Sequence, residues 1–323
     1  MSVYLVVTID VEPDCTPSWQ YSDPLTFKGV RVGIQNRLQP LFIKHNVVPT
    51  YLINNVVLED DKSVEVLRGL DGKYEHGSHL HPEFIGPQKS FESYAGKRGL
   101  ANSSEYPPQI EFEKIQNITS LFSSRFNYQP TSFRAGRFSA GSNTITSLQK
   151  LGYRVDTSVT PHVVWNDKTR SNPVDYSNAK EQPYFVKPGT ILESDVHGSI
   201  LQVPVTIIQR PAALVSELKR TYFGLRDSIK KMKSVWLRPV YSSNEELKFV
   251  VDEICNRYRH ENVAVVNMMF HNVEVMPGLS PYSKNESDCK AYLEQLSLFF
   301  QYCKSRDIES VALSELYDLH RKR

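Results

Sequence analysis

Three short stretches far apart in the chain, Asp10-Val11-Glu12-Pro13-Asp14, His79-Leu80-His81-Pro82-Glu83 and Phe270-His271-Asn272, place acid or imidazole side chains just beyond apolar, strand-like runs. Carboxylates and neutral imidazoles are the ligands that suit zinc and similar divalent ions, and strand ends feeding short loops are where an α/β barrel builds its active site. The pattern points to metal-assisted hydrolysis. Asp10 and Glu12 stand at i and i+2, so an extended segment turns both to one side, where they repel unless a cation or a proton sits between them. His79 and His81 share that spacing within a cluster, Glu75 to Glu83, of three imidazoles and two acids. An extended loop can bring both to one metal at Zn–N distances of ~2.0–2.1 Å. Arg134 ends a strand-like run before Gly136, where it can hold a neighbouring carboxylate by bidentate hydrogen bonding and keep it ionised. His271, a residue type with an ordinary pKa of about 6.5, can donate a proton near neutral pH if a carboxylate supports it. Asp156, in Tyr153-Arg154-Val155-Asp156-Thr157-Ser158, is the candidate support.

These residues need elements to position them, and apolar runs of strand length alternate with segments of helical period, as in βα units around a parallel sheet. The expected strands are Val3 to Ile9, Val47 to Ile53, Tyr74 to Gly77, Thr131 to Arg134, Arg154 to Thr157, Leu201 to Ile208, Val263 to Phe270 and Ser310 to Leu313. Helical stripes run through Ile34, Leu38, Leu41, Phe42 and His45, through Leu247, Val250, Val251, Ile254 and Tyr258, and through Leu293, Leu296, Phe300 and Cys303. N-caps and first-turn acids are expected at Asn244-Glu245-Glu246 and at Asn285-Glu286-Ser287-Asp288. Two long stretches, about 83–108 and 160–198, break the alternation directly after strands, where they can wall a substrate groove.

The 323 residues carry 38 Lys plus Arg against 36 Asp plus Glu, too even a balance for a nucleic-acid-binding surface. No run approaches the roughly 18 apolar residues of a membrane span, and the opening Met1-Ser2-Val3-Tyr4-Leu5-Val6-Val7-Thr8-Ile9-Asp10 reads as a first strand rather than an export signal. Cys15, Cys255, Cys289 and Cys303 are scattered without a CxxC pair, and Cys289 and Cys303 would lie ~21 Å apart on one helix. A cytoplasmic location is the expectation. A basic helix carrying Lys219, Arg220, Arg226, Lys230, Lys231 and Lys233, with the tail from His320 to Arg323, is most simply a solvated face, and alternatively a surface for a diphosphate or an anionic membrane.

In order, Thr8-Ile9-Asp10-Val11-Glu12, Glu75-His76-Gly77-Ser78-His79-Leu80-His81-Pro82, Phe133-Arg134-Ala135-Gly136-Arg137-Phe138, Val155-Asp156-Thr157-Ser158-Val159 and Met269-Phe270-His271-Asn272 resemble the five motifs of the polysaccharide deacetylases, carbohydrate esterase family 4. The resemblance spans Thr8 to Asn272 and implies a distorted (β/α)7-type barrel, with residues 1–323 as one catalytic domain. It implies a divalent metal, usually zinc, in a shallow groove for N-acetylated sugars. Carried over, Asp10 is the general base, Glu12 the acidic metal ligand, His79 the first histidine ligand and His271 the general acid. Arg134 orients Asp10, Asp156 supports His271, and Phe138 offers a backbone N–H to the oxyanion. The usual adjacent Asp-Asp pair is here Asp10-Val11-Glu12-Pro13-Asp14, which leaves Glu12 or Asp14 as ligand, with Glu12 preferred for facing the same way as Asp10. The usual second histidine, four positions after His79, is replaced by Glu83, so the third ligand is His81 or Glu83, with His81 preferred. The expected substrate is a nucleotide-linked, lipid-linked or oligomeric N-acetylated amino sugar used in surface polysaccharide assembly. The competing expectations are a metal-free C–N hydrolase on the same barrel and an inactive sugar-binding module with Trp19 and Trp165 as stacking platforms.

Overall fold

The structure, a computed structural model, describes residues 1–90, 100–167, 170–211 and 232–322. The main sheet has nine strands among the described residues, and seven parallel ones make up its continuous path: β1 (Ser2–Val11), β2 (Pro49–Asn54), β3 (Glu75–Leu80), β4 (Ser132–Ala135), β5 (Val155–Asp156), β6 (Leu201–Gln202) and β7 (Val263–His271). The order across the sheet is β7-β1-β2-β3-β4-β5-β6, with Tyr184–Phe185 added antiparallel beyond β6. The sheet curls towards closure, with no ladder between its two ends among the described residues. Single bonds span the seam instead: Thr206 N–H donates to Asn267 O at 3.0 Å, and Asn267 N–H donates to Thr206 Oγ1 at 2.7 Å. This is the distorted seven-stranded barrel expected from the sequence.

Pleating sorts β1 into two faces. Leu5, Val7, Ile9 and Val11 pack in the main core with residues of the surrounding helices, such as Ile34 and Phe42, whereas Tyr4 and Val6 join an inner cluster with Leu52, Val265 and Leu316. The inner face continues as Thr8 and Asp10 and then, just past the strand, Glu12, so it turns from apolar to charged towards its C-terminal end. The partner strand β7 does the same, with Val265, Asn267, Met269 and His271 alternating against the outward Ala264, Val266, Met268 and Phe270.

The expected strand Arg154 to Thr157 pairs only over Val155–Asp156, and two others depart further from expectation. Leu201 to Ile208 is broken around Pro204, which has no N–H for a ladder; the second part, Ile207–Pro211, pairs instead antiparallel with Met232–Trp236. Only Glu309–Ser310 of the last run pairs with β1, and Leu313 opens a helix to Arg321 whose Leu313 and Leu316 pack in the inner cluster. The helix Asn244–Arg257 is capped by Ser243 rather than Asn244, with Ser243 and Glu246 exchanging bonds, while Asn285 caps Glu286–Ser305 as expected. Of the basic helix, residues 219–231 lie outside the described residues; Lys233 sits on a strand and pairs with Glu246 at 2.6 Å. All four cysteines are free, and no described helix is long and apolar enough to cross a membrane.

Glu111, on the helix Pro108–Phe126, is buried and accepts the Thr144 hydroxyl from the helix Ser142–Lys150. Burial pushes its pKa up to about 7, against 4.5 for an ordinary glutamate. The folded protein therefore keeps this proton while the unfolded chain releases it, and stability falls as pH rises from about 4.5 to about 7. The slope approaches ~1.4 kcal/mol per pH unit for one proton. Urea unfolding at pH 5 and pH 8 is expected to show Glu111→Gln losing less stability than the parent across that interval; equal losses would contradict the assignment.

Candidate active site

β1, β3, β4 and β7 deliver their C-terminal side chains to one cavity of about 600 Å³, lined by Asp10, Glu12, His79, His81 and His271 among others. Glu12 is held by its own backbone: its N–H donates to Asn272 Oδ1 at 2.9 Å and its carbonyl accepts from Asn272 Nδ2 at 3.1 Å. Its Oε1 lies 3.0 Å from His79 Nε2 and 2.9 Å from His81 Nε2, and those two nitrogens are 3.1 Å apart. Ligand atoms around a tetrahedral ion at ~2.0–2.1 Å stand ~3.3–3.4 Å from one another. The three atoms thus sit on nearly the spacing that one divalent ion imposes.

The donor chemistry agrees. His79 Nδ1 donates to the Arg134 carbonyl at 3.0 Å, which fixes the proton there and turns the Nε2 lone pair towards Glu12. Two acceptors at 3.0 Å require a cation or a proton between them. His81 Nδ1 lies 3.3 Å from the Tyr21 hydroxyl, 3.6 Å from Glu83 and 3.3 Å from Arg137. Burial opposes a charge on His81, but Glu12 and Glu83 outweigh it and raise its pKa to about 9. Burial likewise opposes ionisation of Glu12, and His81 and His79 overcome this and hold its carboxyl well below the usual range. Two imidazoles and a carboxylate are a common set for a catalytic zinc, and the residues present fit a divalent ion. A looser group, Asp10, Glu12 and His271, shares Glu12 but stands 3.8–3.9 Å from His271 Nε2.

The alternatives to these ligands are otherwise engaged. The Asp14 carboxylate accepts the Thr26 hydroxyl at 2.7 Å and the N–H groups of Lys28 (2.7 Å) and Gly29 (2.8 Å), at the start of the helical stretch that begins at Gly29. Glu83 lies in a 3-10 turn, Pro82–Phe84, and is paired with Arg137 at 2.6 Å. Burial would raise its pKa, but Arg137 and His81 bring it down to about 2. Gly136 explains how β4 approaches this closely: a Cβ there would meet His81 Cδ2 at 2.7 Å and the Leu80 carbonyl at 2.8 Å.

Asp10 sits beside the ligand set. Arg134, fully buried, donates Nη1–H to Asp10 Oδ1 at 2.6 Å and is itself fixed by the Thr157 carbonyl and the Thr8 hydroxyl. Burial works against the Asp10 charge, and Arg134 followed by His79 and His271 overcomes it, keeping the carboxyl below its ordinary pKa. Its Oδ2 lies 3.8 Å from both His79 Nε2 and His271 Nε2.

Asp156 is not the partner of His271. Its carboxylate accepts the Ser158 hydroxyl at 2.7 Å and the Ser158 N–H at 3.1 Å, and burial raises its pKa to about 6. The residue on His271 Nδ1 is Glu274, 3.0 Å away, in the 3-10 turn Asn272–Val275 that directly follows β7. Glu274 is fully buried, receives Arg238 Nη2 at 2.6 Å and the Tyr292 hydroxyl at 3.0 Å, and is held below its usual pKa by Arg238 and His271 against the effect of burial. An acid three positions after the histidine is the signal that would find it once a helical turn is placed at Asn272. Arg137, Arg238 and Tyr21, which pin Glu83, Glu274 and Glu12, carried no such signal. Of the long loops, the 160–198 stretch brings Trp165, Asp167 and Arg170 to the cavity; residues 91–99 of the other lie outside the described residues.

No family model and no curated protein matches the sequence. Solved structures do. A protein described as a glycoside hydrolase/deacetylase from Parabacteroides distasonis superposes with a TM-score of 0.61 at 12% identity, covering 99% of this chain and 71% of that one. One described as a polysaccharide deacetylase from Mycobacterium smegmatis gives 0.56 at 15% identity over 99% and 91%. The Puue Allantoinase gives 0.56 at 12% identity over 98% and 89%. With its curled sheet of parallel strands and its strand-end acids and imidazoles, the chain has the polysaccharide-deacetylase fold.

Proposed function

We propose that the protein is a metal-dependent hydrolase that removes N-acetyl groups from an amino sugar, with Glu12, His79 and His81 holding the metal. The observation that carries this reading is the placement of Asp10 and His271 against that triad, each held by a buried ion-paired partner. A divalent ion there, zinc by its donor set, supplies Lewis acidity that activates water and polarises a carbonyl. Asp10 accepts the proton of the attacking water through Oδ2, while Arg134 on Oδ1 keeps it ionised and aimed. The water oxygen adds to the acetamide carbon. His271, its Nδ1 held by Glu274, gives the proton on Nε2 to the departing nitrogen. The C–N bond breaks, and acetate and a free amine leave. Arg134 and Glu274 are positioning residues in this scheme.

The sugar is taken as an intermediate of surface polysaccharide assembly, met in the cytoplasm, and the aromatic lining of the cavity, with Trp19, Trp165 and Tyr241, supports a sugar ring. Acetate release measured across chitooligosaccharides, nucleotide-linked and lipid-linked N-acetyl sugars, with and without chelator, tests the proposal. We expect chelator-sensitive acetate with an equal yield of free amine from at least one class. Glycan binding with no acetate from any class would make the protein a sugar-binding module. The equal likeness to an allantoinase favours a second reading, hydrolysis of another C–N bond on the same fold, which predicts activity on cyclic ureides instead.

A further inference from the structure

An arc of aromatic rings, of which Phe138, Trp165 and Tyr241 line the cavity, runs beside it. Phe138 stacks on Trp165 at 5.4 Å and 17°, Trp165 meets Trp236 at 6.2 Å, and Trp236 meets Tyr241 at 5.7 Å. Two guanidinium groups lie over this arc, Arg170 at 5.7 Å from the Trp165 ring and Arg238 at 4.4 Å from the Tyr241 ring, and both line the cavity. Arg238 is committed to the fully buried Glu274, although its Nε likewise has no hydrogen-bond partner among the described residues.

Arg170 is placed differently. Its side chain is 1% exposed, yet its carboxylate partner Asp167, on Nε at 2.9 Å, is 47% exposed. Nη2 donates to the Arg137 carbonyl at 2.6 Å, and Nη1 is buried with no hydrogen-bond partner among the described residues. A buried cation with an unused donor is uncommon, because charged groups removed from water normally have every N–H satisfied. A half-exposed carboxylate is a weak, screened partner that can exchange with another anion.

We propose that Arg170 is the anion subsite of this cavity, so that the acetylated sugar it takes carries a phosphate or a carboxylate. The sugar part of this statement rests on the deacetylase reading; the anion part rests on Arg170 alone. A planar guanidinium backed by an indole face offers the Nε–H now held by Asp167 to an incoming phosphate or carboxylate that displaces it. The subsite selects on a substituent away from the acetamide, which makes it a determinant of substrate choice rather than of the chemical step.

The test is calorimetric binding of N-acetylglucosamine, N-acetylglucosamine 1-phosphate and N-acetylglucosaminuronic acid to the full chain, its Arg170→Gln variant and its Asp167→Asn variant. At least one anionic ligand should bind roughly ten-fold or more tightly than the neutral sugar, as a charge-assisted bond predicts. Whichever it is identifies phosphate or carboxylate as the group recognised. Arg170→Gln should reduce that preference to within about two-fold, and Asp167→Asn, which removes the competing carboxylate, should increase it several-fold. Equal binding of the three ligands, binding of none, or a preference that survives Arg170→Gln overturns the proposal. If Arg170→Gln does not fold, an unchanged preference in Asp167→Asn overturns it. Acetate release is read in parallel: none from any ligand, with the anion preference intact, removes the deacetylase reading and leaves the subsite standing.

Discussion

Replacing Asp10 with asparagine is expected to lower kcat by roughly 10²- to 10⁴-fold, the range that a positioned general base contributes, with KM changed far less. Asparagine keeps the shape and still offers Oδ1 to Arg134, so the 2.6 Å bond has a successor, but it cannot accept a proton from water. The bound metal should remain at parental stoichiometry, because Glu12, His79 and His81 converge without any contribution from Asp10. Arg134 is fully buried and loses its counter-charge, so the variant should also be less stable, by part of the ~3–5 kcal/mol that stranding one member of a buried pair costs. Single-turnover kinetics on folded protein, with metal content measured on the same sample, separate these effects. Unchanged kcat in a variant of parental metal content would remove Asp10 from the chemistry.

The parts of the site that could be read from the sequence are those governed by strand pleat. Asp10 with Glu12 and His79 with His81 are i, i+2 pairs at the ends of β1 and β3, and period-two alternation sends each pair to one face whatever surrounds it. The same logic places Arg134 on β4 and His271 on β7. It fails where the chain leaves the strand. Asp14 shares the parity of Asp10 and Glu12, but the strand ends at Val11 and Asp14 goes to the backbone of Lys28 and Gly29. Glu83 lies one 3-10 turn beyond His81, where parity no longer applies, and Arg137 claims it. The partner of His271 escapes a reading of the sequence for a related reason. Asp156 is a strand residue and was therefore visible, whereas Glu274 reaches His271 through a turn, and its second partner Arg238 arrives from a segment 36 positions earlier in the chain. In the fold, the long strands β1 and β7 are legible as apolar runs, while the break around Pro204 and the helix from Leu313 depend on pairing partners that local pattern does not specify.

Removing the metal should have the other large effect, and it divides the two hydrolytic readings. Purified protein is expected to hold one divalent ion per chain, with zinc first among them; dialysis against a strong chelator should abolish acetate release, and adding Zn²⁺ back should restore it. Glu12→Gln is the sharper form of the test. Glu12 Oε1 alone bridges both imidazoles, so its loss leaves His79 Nε2 and His81 Nε2, 3.1 Å apart, without the charge that offsets a dication. Metal affinity should fall by more than the roughly 10- to 100-fold that changes in outer-shell residues cause. Removing Glu12 also removes the larger of the two carboxylate influences that raise the His81 pKa, so His81 holds its buried charge less firmly in the variant. The variant is therefore expected to stay folded and be inactive, with circular dichroism and thermal unfolding close to those of the chelated parent. Full activity in chelated parent protein and in Glu12→Gln alike would sink the metal-dependent mechanism and favour the hydrolase that works on this fold without one.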